Sequence, residues 1–530
     1  MNSLIVVFIS GLLLFWGYRF YAKKLEPLWS IDPKRPTPAY SKYDSIDYIP
    51  ARNWLVLFGH HFASIAGAGP IVGPVIAVML WGWLPALIWI ILGTIFIGGV
   101  HDFGSLVTSL RENGSSVADI ASKAISKKAK IIFSLFVWLA LILVIAVFAY
   151  LCADIFVKEP KIVLPSLGLI PVAMVVGYLM YRFKVNSLFS TILGLVLMVG
   201  LLYGAKTLTI NMDLKFWFII LFIYAYIASV LPVNILLQPR DYLSSFLLFF
   251  GLAVGYIGLF LRHPCITLPA CHSWESSEGA LWPLLFVTIA CGAISGFHSL
   301  IASGTTSKQL PNERYAKRIG YGAMVTEALM AVLSIMIVIT LFRPEDNLKT
   351  ILKELGPMKI YGKGYALITD KLLGNQGAFL GMMILNAFIL TTLDTATRIA
   401  RYLTEELFRI KNHYLSTLII VGLSAGLAMS GKWNRLWPVF GTANQLVAAL
   451  VLFVLTCWLL SKGKPIRFTI WPAVFMLVIT VSSLILGAIK YFSNENKEIL
   501  LFIISVILVI LACFMFWEVM LVFRRIKRNV

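Results

Sequence analysis

Residues 59–74 read GHHFASIAGAGPIVGP: two adjacent histidines, four glycines and two prolines inside a long apolar run. In hydrocarbon every backbone polar group must be satisfied, so a broken helix survives only where it is packed in protein or lines a cavity. Gly67, Ala68, Gly69 and Pro70 fall near the middle of that run. Two readings follow. The segment is a discontinuous helix whose freed amides and carbonyls receive a substrate or ion, or its small residues let a neighbouring helix approach closely.

The rest of the chain supplies the membrane. Of 530 residues 59% are hydrophobic and 13% charged, with a mean hydropathy of +0.86, far from the roughly quarter-charged mix of soluble domains. Runs of about 20 apolar residues occur near 2–20, 54–80, 84–109, 131–154, 162–182, 186–205, 214–237, 243–261, 281–303, 318–342, 378–399, 414–430, 436–460, 468–489 and 499–523. The expectation is an all-α polytopic membrane protein of about fifteen spans. Residues 1–53 form a first helix and cytoplasmic loop, 54–410 a transport core, and 411–530 accessory helices.

The formal charge of +20 does not require nucleic acid as a partner. With the N-terminus outside, 30 of the 45 Lys and Arg fall in cytoplasmic loops, which is the positive-inside pattern. The C-terminus is then cytoplasmic, and the tail FRRIKRNV reads as an anchor to inner-leaflet lipid. The first run carries its charges after the apolar stretch and shows no small-residue cleavage site, so it reads as a retained helix. Four cysteines lie within spans as small core residues. Cys265 and Cys271 share an outside loop where a disulfide is plausible; His263 and His272 flank them, but no metal site is expected.

A second interruption lies at IASVLPVNILLQPRDYLSS. Pro232 and Pro239 sit seven residues apart at the end of the seventh run, followed by Arg240 and Asp241. The interrupted second and seventh runs are five apart and cross in opposite directions, as the first and sixth helices of a five-plus-five inverted repeat do.

Ionisable residues within spans mark function by default. His60 and His61 open the broken run, and adjacent helical positions point about 100° apart, so the pair does not chelate one metal. One faces the pathway or both pack helices; a histidine is also a natural proton carrier. His101 and Asp102 follow a Gly pair deep in the third run, where Asp102 is a carboxylate for proton coupling or half of a fold-locking ion pair. Ser303, Thr305 and Thr306, with Ser295 and Ser299 upstream, offer a cation oxygen ligands or bond to their own helix. His298 is a candidate for substrate or proton contact. Asp394 and Arg398, four apart, read as a structural ion pair on one helix face, and Asn444 and Gln445 as amides joining helices.

Five ordered stretches carry a resemblance: LFGHHFASIAGAGPIVGPVIA, LPVNILLQPRDYLSSFL, FVTIACGAISGFHSLIASGTT, ILTTLDTATRIARYLTEEL and LWPVFGTANQLVAA. Together they resemble the signature blocks of the carbon starvation protein A (CstA) family over about residues 20–490. The resemblance implies a prokaryotic inner-membrane transporter with a LeuT-like core, related to the amino acid-polyamine-organocation superfamily. It further implies peptide uptake during nutrient limitation, or proton-coupled pyruvate uptake. His101 stands where glutamine is expected, Thr442 where isoleucine is, and GTTSK where GTTPK is.

The functional expectation is therefore a symporter with no cofactor, driven by H+ or Na+, taking up a peptide or a small carboxylate such as pyruvate. Amides at residues 67–70 would meet the substrate carboxylate at the positive end of a half-helix, oriented by His61 and Ser64. A channel would need a continuous polar lining. An enzyme would need a tighter constellation; HExxH does not occur. A nutrient sensor that binds without transporting would need an output domain that the sequence does not carry.

Overall fold

The computed structural model describes residues 2–530 except 277, 431–432, 494–497 and 530, with no side chain described at 430, 433–435 or 526–529; the end of the basic tail lies outside the described residues. The chain is all helical apart from isolated bridges such as Asn2 with Cys265. In order the helices are α1 (Ser3–Trp29), α2 (Trp54–Ile65), α3 (Gly69–Leu80), α4 (Trp83–Arg111), α5 (Lys127–Lys158), α6 (Pro160–Arg182) and α7 (Ser187–Gly204). There follow α8 (Leu214–Val230) and α9 (Leu237–Arg262), then the short α10 (Leu281–Thr288) and α11 (Gly296–Gly304). The second half holds α12 (Glu313–Leu341), α13 (Leu348–Leu373), α14 (Gly377–Phe408), α15 (His413–Ser430), α16 (Trp433–Ser461), α17 (Arg467–Ser493) and α18 (Ile499–Asn529).

Every one of the fifteen apolar runs coincides with helix, but they do not all qualify alike. Among the described residues eleven helices are long and apolar enough to cross a membrane, or twelve with the bent pair α2–α3 counted as one. The runs at 214–230 and 413–429 are apolar but shorter, and 281–303 is split in two. Residues 343–377, between two of the apolar runs, hold α13, a helix kinked at Gly356 (φ 72°) before Pro357.

Two interruptions position the site. Between α2 and α3 the backbone leaves the helix at Ala66 (ψ 61°) and resumes bent by 41°. The second lies between α10 and α11, where residues 289–295 are not helical. This corrects the expectation for 231–241. Pro232 sits in a six-residue connection between two separate helices, and Pro239 and Arg240 lie in the first turn of α9, a 26-residue helix in its own right, with Asp241 directly after it. A proline is accommodated there because the first-turn amides have no helical partner to lose.

The two breaks face each other. A side chain at Gly69 would lie 2.4 Å from Cys291 Cβ, and one at Gly73 would lie 2.4 Å from the Thr288 carbonyl oxygen. Only glycine lets the two segments approach this closely. Around them α5 packs on α14, α9 on α2, and α12 on both α3 and α4. The loop after α1 is pinned rather than loose: Arg111 forms a two-pronged pair with Glu313 (2.5 and 2.8 Å), whose carboxylate also accepts from the Asp32 amide at 2.9 Å.

Candidate functional site

The breaks persist because neighbouring side chains satisfy the backbone they free. Thr391 and Thr392 on α14 donate to the carbonyls of Ala63 (2.6 Å) and Ser64 (3.1 Å) at the end of α2. At the second break Gln445 donates to the Phe286 carbonyl (2.8 Å), Trp89 to the Ile289 carbonyl (3.2 Å) and Thr94 to the Gly292 carbonyl (3.3 Å). Asn444 caps the start of α11, its side-chain oxygen accepting from the Phe297 amide (2.9 Å) and the Ser295 hydroxyl (3.2 Å). Broken helix in hydrocarbon needs such partners. The amide pair read as a helix-joining element is thus bonded to the second break.

Between the breaks lies a narrow gap, too tight for a water molecule, lined by Ile65, Gly67, Phe148, Cys291, Thr392 and Asn444, among others. A larger but still tight space lies between α6, α7, α9 and α14, mainly aliphatic but touched by Arg240 and Thr391. We take the smaller gap as the candidate substrate site because both interruptions reach it. Of the residues expected to meet substrate, Gly67 lines this gap, while Gly69 and Pro70 pack on the opposite break. Ala68 is buried at the start of α3.

His61, Ser64 and His298 are turned elsewhere. His61 Nδ1 meets the Thr306 hydroxyl at 2.8 Å, and Ser64 donates to Asp241 at 3.1 Å. None of the three lines the gap, because adjacent helical positions point to different sides.

Ser64 belongs to a buried ionic network instead. His60 Nδ1 lies 2.7 Å from Asp241 Oδ2, Arg240 bonds Asp241 at 3.1 Å and Asp394 at 2.5 Å, and Tyr224 donates to Asp394 at 2.7 Å. His60, Arg240, Asp241 and Asp394 are at most 1% exposed. The network joins α2, α8, α9 and α14, and it corrects the expected Asp394–Arg398 pair. Asp394 faces Arg240, whereas Arg398 faces Asp47 at 3.1 Å and the Ala228 carbonyl at 3.1 Å. On a helix buried all round, residues four apart are drawn to different neighbours.

A second buried chain runs through α4, α11 and α12. Asp102 is held between His101 Nδ1 (2.7 Å) and His298 Nδ1 (2.9 Å), and His298 Nε2 faces Glu327 at 3.3 Å. Glu327 was not singled out from the sequence, although an acid in the apolar run 318–342 carries the same signal as Asp102. Cys291, read as a small core residue, joins it: the ligand atoms of Cys291, His298 and Glu327 all lie within 4.8 Å of one another, an arrangement able to hold a metal ion.

The expected cation site does not assemble. Ser303 and Thr305 donate to carbonyls of their own helix, Ser299 (2.8 Å) and Ile301 (3.0 Å), and Thr306 goes to His61. Returning the hydroxyl proton to the preceding turn is the ordinary behaviour of these residues in membrane helices. Cys265 and Cys271 are not joined. Cys265 is tied to the N-terminus through its bridge with Asn2, and Cys271 packs at Gly82.

Outside the spans, Asp47 anchors the loop before α2. Burial alone would raise its carboxyl, but the charges of Arg398, Lys308 and Arg401, with the Tyr402 hydroxyl, hold it below the ordinary carboxylate range.

Comparison with known proteins gives a consistent picture. The family model described as carbon starvation protein CstA matches residues 2–346 and 343–483. The peptide transporter CstA of Bacillus subtilis is 32% identical over 512 residues, covering 86% of this chain and 85% of that one. The peptide transporter CstA of Campylobacter jejuni is 31% identical, covering 88% and 77%. The pyruvate/proton symporter BtsT of Escherichia coli is 29% identical, covering 94% and 82%. In fold, the chain is similar to a manganese transporter of Eremococcus coleocola, with a TM-score of 0.55 at 11% identity over 92% of this chain and 99% of the other.

Proposed function

The chain belongs to the carbon starvation protein CstA family, and from that premise we propose that it imports a small carboxylate, pyruvate first among candidates, by proton symport. It is a multi-pass inner-membrane transporter, not an enzyme. The observation carrying the substrate reading is the gap between the two breaks, with the N-terminus of α3 beside it. Half-helix amides there favour an anion. The gap is closed to a water-sized molecule in this conformation, so the helices around it must part to admit any substrate. A three-carbon acid needs less widening than a peptide.

The transport core follows a LeuT-like five-plus-five plan. In this reading α2–α3, α4, α5, α8 and α9 form one repeat, and α10–α11, α12, α14, α15 and α16 the other. The helices α6 and α7 are an insertion, and α1, α17 and α18 are accessories. Support comes from the facing breaks, which become the first and sixth helices, and from the packing of α5 on α14, which become the third and eighth. The N-terminus lies outside and the C-terminus in the cytoplasm, in keeping with the Lys and Arg bias.

The coupling proton resides in the His60–Asp241–Arg240–Asp394 network. Two carboxylates face one guanidinium, so the network is neutral only when it carries one more proton, shared with His60. A dry interior penalises the uncompensated state. Protonation would thus be tied to how closely α2 sits on α9 and α14, and of these α2 and α14 border the gap.

The test is the transient current of reconstituted liposomes on a pyruvate jump, with an inward proton gradient and no sodium, beside a panel of di- and tripeptides. A pyruvate current is expected. Current with peptides alone would move the protein to peptide import, and current only when sodium is restored would replace the coupling ion.

A further inference from the structure

We propose that Cys291, His298 and Glu327 form a binding site for one divalent cation of the borderline-soft class, Zn²⁺ in the first instance. The three residues come from different pieces of the fold: the unwound segment after α10, the half-helix α11, and the long helix α12. All three are buried, and their ligand atoms lie within 4.8 Å of one another.

The hydrogen bonding around them leaves acceptors facing acceptors. Asp102 receives both His101 and His298 through their Nδ1 atoms, at 2.7 and 2.9 Å. His298 then carries its proton on Nδ1 and points the bare lone pair of Nε2 at Glu327, 3.3 Å away. That nitrogen and both oxygens of Glu327 have no hydrogen-bond partner, and Cys291 Sγ is itself an acceptor, facing the Asn444 amide at 3.6 Å. A buried ring of lone pairs is unfavourable unless something positive lies between them. Asp102, Cys291, His298 and Glu327 form no ion pair with Lys or Arg among the described residues.

A divalent ion answers each of these features at once. Thiolate, imidazole and carboxylate suit a zinc-class ion, and three protein ligands with one position left open is an ordinary zinc arrangement. The ion would neutralise Glu327 and the thiolate, the thiol proton leaving on binding. The Asp102–His298 bond already has the form of the carboxylate–histidine–metal relay that orients a ligating imidazole. Because Cys291 also lines the gap, the ion would tie the unwound segment to α12 at the wall of the substrate site. The inference does not depend on the coupling reading, whose residues lie in the other network.

The test uses the full-length chain purified in detergent, with Co²⁺ as the optical probe and Zn²⁺ as competitor. One Co²⁺ per chain is expected, with a near-ultraviolet thiolate-to-cobalt band that an equimolar amount of Zn²⁺ removes. Cys291→Ser should abolish the band, whereas Cys265→Ser with Cys271→Ser should keep it. Glu327→Gln should weaken binding at least tenfold, and Asp102→Asn by roughly 10–100-fold, as loss of an outer carboxylate does. Thermal unfolding in a chelator checks that each variant is folded. Unsaturable or sub-stoichiometric Co²⁺ binding overturns the site, as does a band that survives Cys291→Ser. So does unchanged affinity in Glu327→Gln, which would leave a proton as the charge between His298 and Glu327.

Discussion

Asp241 and Gly69 show what single side chains do here. Asp241 accepts from His60, Arg240 and Ser64 together, so Asp241→Asn keeps the shape but removes the charge that makes the extra proton necessary. Gradient-driven accumulation should disappear while counterflow at equal pH persists; accumulation at the wild-type rate would place coupling elsewhere. Gly69→Ala acts through space alone. Its new methyl would fall 2.4 Å from Cys291 Cβ, forcing the breaks apart at the roughly 1–3 kcal/mol of overpacking. Thermal stability should fall and substrate affinity with it, and an unaltered melting curve with normal affinity would show that the contact yields easily. At this scale residue types were legible and partners were not: His60 and Asp394 stand out as ionisable residues in apolar runs and Asp241 as one between two runs, but which pairs with which depends on helix neighbours up to 181 positions apart.

The elements carry a different lesson. The first break was legible because three glycines and a proline cluster within seven residues. The second was not, since residues 289–295 read IACGAIS, with one glycine and no proline. It unwinds because Gln445, Trp89 and Thr94 supply donors for its carbonyls, a tertiary cause that no local pattern displays. The loop before α2 behaves as a latch on α14. Asp47 bonds Arg398 and Tyr402 there, and its lowered pKa means that the folded state holds the proton less tightly than the unfolded one. The stabilisation is therefore present above the unfolded carboxylate value of about 3.9 and is lost as pH falls through the lower folded value. Asp47→Asn should cost on the order of 3 kcal/mol at pH 7, the usual consequence of stranding a buried arginine. The deficit relative to wild type should shrink below about pH 4 in thermal unfolding of the detergent-solubilised protein. A deficit constant with pH would assign the effect to packing.

At the scale of the molecule, the fifteen runs and their helical nature came directly from hydropathy, while the pairing of the interrupted helices did not. The sequence pattern matched α2–α3 with residues 231–241 because both hold prolines; in the packed structure it is the break between α10 and α11 that lies against α3. The orientation makes a prediction of its own. A single cysteine introduced at Arg525 into a chain whose other exposed cysteines, Cys265, Cys271 and Cys513, are replaced by serine should react with a membrane-impermeant maleimide in inside-out vesicles and not in intact cells. The opposite pattern would invert the whole topology.

The bond from Asn444 to the start of α11 also bears on how the protein is made. The segment that needs this cap is synthesised about 150 residues before the residue that supplies it. While a ribosome adds those residues, the amide of Phe297 and the hydroxyl of Ser295 must wait in or near the bilayer for a partner not yet translated. The nascent chain should therefore hold this region outside its final position, sheltered by the insertion machinery, until α16 arrives. A chain stopped before Asn444 would carry an unfinished helix into the membrane and present it to quality-control proteases.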